Sequence, residues 1–211
     1  MFVVALSASG VASAQDWCSR YSCPDGFEGG ATATWVHDTY DAIWGHGFVT
    51  VGNDSQRRSG NRDAKLFFDQ GDSRGGGMVN VSKTYDVALA FDPNLNARNT
   101  SYPSCPTPAA VPPNPGVISS CSVNFYLRAT NANPTGSVYL TTPFPGVTEL
   151  SHLNFALSDS DPSWHPYTLY TPDGVYCRKI NVQFWLIQPY GAGQRPEVAI
   201  DDVKVNWYFK P

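Results

Sequence analysis

At 211 residues and 23.0 kDa, with 42% hydrophobic residues, the chain has the length of one large all-β domain or two small ones and can bury a sizeable core. Charged residues make up only 15%, against about 25% in an average soluble domain, while 6 Trp, 11 Tyr and 11 Phe are present, which excludes a disordered charged tail. With 14 Lys+Arg against 18 Asp+Glu the net charge is −4 and no basic stripe is present, so nucleic acid is not the expected partner.

The chain opens on a short apolar run from Phe2 to Leu6, then small residues and an A-x-A site at Ala12, Ser13 and Ala14. This predicts a secretory signal peptide over 1–14, truncated at its start, and a mature domain over 15–211 that is secreted to the extracellular space. No later stretch reaches the roughly 18 apolar residues of a membrane span, so no membrane association is expected. Cys18 and Cys23 flank a short turn, Cys105 and Cys121 bracket a proline-rich excursion, and Cys177 stands alone. Several pairings are open to five cysteines; proximity favours 18–23 and 105–121. Sequons at Asn53, Asn80 and Asn99 predict N-glycosylation.

Next come short strand candidates over 48–51, 65–68 and 78–81, followed by the clearest signal in the chain, a periodicity of two. Tyr85, Val87, Leu89 and Phe91 alternate with Asp86, Ala88 and Ala90. Between Asp92 and Ser119 lies one long irregular segment with seven prolines, expected to be a stapled surface loop rather than a linker. Val123, Phe125 and Leu127 alternate with Asn124, Tyr126 and Arg128, and Val138 and Leu140 with Ser137, Tyr139 and Thr141. A short candidate covers 167–170. Ile180, Val182, Phe184 and Leu186 then alternate with Asn181, Gln183 and Trp185. At the end, Val198 and Ile200, then Val203, Val205 and Trp207, form two sets whose phase slips at Asp201 and Asp202, as a β-bulge would make it. Strict alternation means one buried and one solvated face per sheet. About nine short strands with Gly and Pro turns therefore predict a single all-β domain, an antiparallel β-sandwich.

The order of motifs resembles that of galactose-binding-like jelly-roll modules. Asp25 to Ala31 (DGFEGGA), Trp35, Gly47 to Val51, and Ser59 to Phe67 (SGNRDAKLF) look like the opening of such modules. Ser163 to Leu169 (SWHPYTL), Ile180 to Leu186, and Val198 to Val205 (VAIDDVKV) look like their close. The resemblance runs from about Cys23 to Trp207 and is similar to CenC-type carbohydrate-binding modules and their secreted fungal relatives. It implies a jelly-roll fold and says less about the ligand. The proline-rich excursion and the surroundings of Trp44 and Tyr190 depart from the pattern.

In similar modules a structural calcium ion is held by the F-E-x-G glutamate, backbone near the S-G turn and an aspartate of the D-D-V strand. Carried over by position, the resemblance implies Glu28, the backbone around Asn61, and Asp202, with Asp201 as its alternative. Oxygen ligands of this kind suit a hard cation, and its role would be stabilising.

A sugar ring needs an aromatic face for its C–H surface and paired polar groups for its hydroxyl rim. The solvent parity of the strands supplies both: Asn124, Tyr126 and Arg128 on one, Tyr139 on another, Gln183 and Trp185 on a third. Trp44, His46, Trp164 and Tyr190 form a second, loop-borne candidate platform, while Trp35 and Trp207 are assigned to the core. The carboxylate pairs Asp159/Asp161 and Asp201/Asp202 are expected to cap turns or bind metal rather than to cleave glycosidic bonds. These residues predict a monomeric, non-catalytic module that binds a neutral polysaccharide or glycan. The alternative is a structural or interaction protein of the cell wall or host interface, in which the solvent-side aromatics lie buried under the proline-rich loop.

Overall fold

The computed structural model describes residues 20–25, 27, 35–41, 47–52, 57–60, 62–68, 77–86, 118–143, 145–172, 179–189 and 194–209. Eleven strands lie among them: β1 (Arg20–Asp25), β2 (Val36–Asp41), β3 (Gly47–Gly52), β4 (Asp63–Phe68), β5 (Gly77–Asp86), β6 (Ile118–Asn131), β7 (Thr135–Thr141), β8 (Glu149–Ala156), β9 (His165–Tyr170), β10 (Lys179–Gln188) and β11 (Glu197–Phe209). The larger sheet runs β3-β4-β11-β6-β9, with β1 also paired to β11, and the smaller runs β2-β5-β10-β7-β8. All pairings are antiparallel. The two sheets face each other as a jelly-roll β-sandwich, the expected architecture.

The strand count differs from about nine for a physical reason. The 78–81 run and the start of the run from Tyr85 join as β5, and residues 87–91 lie outside the described residues. β1, β2 and β8 carry Pro24, several Asp and irregularly spaced apolar residues, so the alternation that marks a strand is absent from them and backbone pairing to a neighbour defines them instead.

The core forms where the alternating apolar residues of the two sheets meet. Val123, Phe125 and Leu127 project inward from β6, and Val182, Phe184 and Leu186 from β10, each no more than 1% exposed. Each such side chain contributes about 1.5–3 kcal/mol by leaving water. Phe125 meets Phe184 edge to face across the sandwich, with centroids 5.1 Å apart. Trp35, stacked on Phe27 at 4.7 Å, and Trp207 are buried, as assigned from sequence. The slip at Asp201 is a bulge: the β11–β6 register shifts between Asp201 and Lys204, and Asp202 takes φ 50°.

The signal-peptide segment 1–14, the bulk of the proline-rich excursion, Glu28, Asn61, Cys18, Cys105, Cys177, Asn53, Asn99, Trp44, His46 and Tyr190 lie outside the described residues, as does the side chain of Cys23. Cys121 is fully buried and disulfide-bonded.

Candidate functional site

The outward residues of β10 are read in register with those of its neighbours. Ile187 stands beside Met78 of β5; two residues back, Trp185 stands between Asn80 of β5 and Ser137 of β7; two further, Gln183 stands between Ser82 and Tyr139. β8 extends these rows, placing Asn154 beside Ser137 and His152 beside Tyr139. The result is a cleft of about 350 Å³ open on the outer face of the smaller sheet. Trp185, Gln183, Tyr139 and Ser137 form its floor, Met78 and Ile187 one end, and Thr141, Glu149 and Val147 the other.

Side-chain hydrogen bonds hold this floor in place. Trp185 donates Nε1–H to Gln183 Oε1 at 3.0 Å, and Gln183 Nε2 reaches Thr141 Oγ1 at 3.4 Å. Ser137 donates to Asn154 Oδ1 at 2.6 Å. The Tyr139 ring stacks on His152, centroids 5.5 Å apart, and His152 Nδ1 lies 2.6 Å from Glu149 Oε1. Half-buried Trp185 is thus fixed by its own strand neighbour and lines the cleft among hydroxyls and amides. Close approach of β7 to β10 makes the row possible: at Gly136 a Cβ would come within 2.5 Å of Phe155 Cζ and collide with the Trp185 carbonyl oxygen.

The six residues expected to bind sugar do not share one face. Tyr139, Gln183 and Trp185 line the cleft, but Asn124, Tyr126 and Arg128 belong to β6 and face outward from the larger sheet, on the opposite side of the sandwich. Parity reports inward against outward and not which sheet a strand joins, so it does not separate the outward residues of β6 from those of β7 and β10. None of these three offers a stacking surface. The Arg58 guanidinium covers the Tyr126 ring at 3.5 Å from its centroid. Arg128 is 2% exposed, with Trp164 packed 5.1 Å from its guanidinium, and Asn124 Oδ1 accepts from Asn206 Nδ2 at 3.3 Å. Of the loop-borne platform, Trp164 is therefore a half-buried packing residue.

The described half of the implied calcium set does not fit a cation. Asp201 Oδ2 accepts the backbone N–H groups of Arg58 and Ser59, both at 3.0 Å, and Asp201 Oδ1 accepts the N–H of Asp202 at 2.7 Å. Asp202 pairs with the Arg58 guanidinium and accepts the Ser59 hydroxyl. These neighbours are donors, whereas calcium requires a shell of oxygen acceptors. Among the described residues no group of three or more His, Cys, Asp or Glu is placed to hold a metal. Arg58 supplies the positive charge here, clamped between Asp202 and Tyr126.

The sequon at Asn80 is likewise at odds with the fold. Asn80 is 4% exposed on a central strand, between Asp38 of β2 and Trp185 of β10 in register, so a glycan on its amide is incompatible with this packing. The Asp159/Asp161 pair lies on a turn: Asp161 accepts the Ser163 N–H at 3.1 Å, and the Asp159 N–H donates to Asn133 Oδ1 at 2.9 Å. Sequence reasoning missed Ser137, Thr141, Glu149, Met78 and Ile187 as site residues. For Ser137, Thr141 and Ile187 the signal was present, since they share outward parity with Tyr139 or Trp185.

The fold recurs among solved structures. TmCBM61 in complex with β-1,4-galactotriose matches with a TM-score of 0.51 and 11% identity, covering 88% of this chain and 94% of that one. A family 11 carbohydrate-binding module from Clostridium thermocellum, in complex with a β-1,3-1,4-mixed-linked tetrasaccharide, has a TM-score of 0.48 and 8% identity over 88% of this chain and 94% of its own. A Stig cyclase, Fisc from Fischerella sp. TAU, has a TM-score of 0.49 and 14% identity over 92% and 100%. At such identities the likeness is one of fold. No family model and no curated protein matches the sequence.

Proposed function

We propose that the chain is a secreted, non-catalytic carbohydrate-binding module for a neutral polysaccharide or glycan, with its site in the cleft over β10 and β7. The observation that carries this reading is the placement of Trp185. An indole on the solvent side of a central strand, fixed by Gln183 and flanked by Ser137, Tyr139 and Thr141, is a surface on which a pyranose ring stacks while its hydroxyls find partners. Glu149 is the only charged residue among the described residues lining the cleft, which disfavours an acidic polysaccharide. The openness of the cleft favours this reading over an interaction protein with buried aromatics. The shared fold of TmCBM61, which was solved with a galactotriose, supports the same reading. Export rests on the A-x-A site near the N-terminus. The reading calls on no calcium at the described aspartates, since Arg58 pairs with Asp202 and its backbone N–H donates to Asp201.

The test is binding to a panel of neutral oligosaccharides by calorimetry, with cello-, xylo-, manno-, galacto- and chito-series compared. Binding to at least one series, lost in Trp185→Ala, is expected. Failure to bind any glycan, or undiminished binding by Trp185→Ala, would overturn the reading.

A further inference from the structure

The cleft changes character along its length. Outward residues on β10 recur about every 6.8 Å, two residues at a time, and each step brings a different chemistry. At one end Met78 and Ile187 stand side by side, and Met78 is 43% exposed, so an apolar end meets water. The middle is Trp185 beside Ser137, and the far end holds Gln183, Thr141 and Glu149.

A plain hexose carries hydroxyls around its whole rim. A hydroxyl pressed against a thioether and an isoleucine side chain would lose water and gain no partner, which costs binding. The Met78–Ile187 end therefore fits a ring substituent that ends in a methyl group. Ser137 narrows the choice. Its hydroxyl proton is committed to Asn154 Oδ1 at 2.6 Å, so toward a ligand Ser137 Oγ presents lone pairs and accepts a hydrogen bond. A substituent with an N–H donor next to a methyl-bearing end is an acetamido group.

Building on the carbohydrate-binding reading, we propose that the cleft selects glycans containing N-acetylhexosamine. The acetyl methyl rests on Met78 and Ile187, the amide N–H donates to Ser137 Oγ, and the ring stacks on Trp185. Met78 and Ile187 are the specificity-determining residues for the acetyl group.

Three β-1,4-linked trisaccharides that differ only at C2 test this: chitotriose with acetamido groups, the chitosan trimer with free amines, and cellotriose with hydroxyls. Chitotriose should bind at least about tenfold more tightly than cellotriose, the discrimination a hydrophobic pocket gives for a small apolar group. Met78→Ser should reduce that ratio to below about threefold, and Ile187→Thr should do the same as an independent variant. Thermal melts of both variants verify that they fold. Cellotriose binding as tightly as chitotriose overturns the acetamido assignment while leaving a glycan-binding module in place. Tighter binding of the chitosan trimer also overturns it, and assigns selection to Glu149. An O-acetylated xylan that competes with chitotriose on equal terms overturns the role of the amide N–H. If none of the three trisaccharides binds, the proposal fails; if no other neutral glycan binds either, the carbohydrate-binding reading fails with it.

Discussion

Phe125 and Phe184 meet edge to face at 5.1 Å in the centre of the sandwich, and so their chain neighbours Tyr126 and Trp185 point to opposite sides of the molecule. Each aromatic pair is one strand step apart, one residue inward and the next outward. Tyr126 is covered by Arg58, whereas Trp185 lies in the open cleft. Trp185→Ala is accordingly expected to weaken glycan binding at least about tenfold, as loss of a central aromatic anchor does. Tyr126→Ala should leave the dissociation constant within about twofold, since it is remote from the cleft. Calorimetric titration of both variants with the best glycan decides this. Equal loss in the two variants would mean that ligand reaches the larger sheet.

How far the sequence was legible follows from the same two strands. The alternation in Val123–Leu127 and Ile180–Leu186 states which side chains are buried, and every one of those apolar residues is in the core. It does not state partners. β6 pairs with β11 and β9, and β10 with β5 and β7, and those choices depend on contacts between residues far apart in the chain. Tyr139, Gln183 and Trp185 of the expected sugar site therefore share one face, while Asn124, Tyr126 and Arg128 lie on the opposite one. Glu149 is illegible in the sequence for a related reason: β8 is an edge strand whose Leu150, Leu153 and Phe155 break the period of two, so no alternation marks the strand that brings Glu149 to Thr141. The bulge at Asp201, by contrast, was legible because a slip of phase is a property of the local sequence.

Chelation should not touch the stability of this protein. Asp201 caps the backbone of Arg58 and Ser59, and Asp202 pairs with Arg58, so the charge of the bulge is met by a guanidinium. A bound stabilising ion would raise the melting temperature by mass action, and its removal would lower it. With EDTA the melting temperature is expected to stay within about 1 °C. Arg58→Ala, which removes both the ion pair and the cover over Tyr126, should cost roughly 1–2 kcal/mol. A clear drop with EDTA that calcium reverses would restore the metal site.

Gly136 should tolerate no side chain. A Cβ there would meet Phe155 Cζ at 2.5 Å and the Trp185 carbonyl oxygen, a backbone atom that moves only with β10 itself. Gly136→Ala is expected to destabilise the fold by about 1–3 kcal/mol, the usual penalty for overpacking. Because the strain is applied at Trp185, glycan binding should weaken as well. Chemical denaturation measures the first effect and calorimetry at low temperature the second. Unaltered stability would show that β7 and β10 lie farther apart than described.

Acid should weaken the turn that leads into β9. The Ser163 hydroxyl and backbone N–H both bond to the Asp161 carboxylate, with His165 adding a smaller attraction, and together they hold its pKa below the ordinary 3.8. A carboxyl with a depressed folded pKa takes up its proton first in the unfolded chain as pH falls. Its contribution is thus present above pH 3.8 and disappears as pH drops through the lower folded value. The group is solvent-exposed, so the contribution is small, and a carbon-13 titration of the carboxyl is a more sensitive measure than a melt. The expected midpoint lies below 3.8, and it should rise toward that value in Ser163→Ala. A midpoint at or above 3.8 in the unmodified protein would mean that Ser163 does not hold the carboxylate, and the 158–163 turn would then lack its anchor.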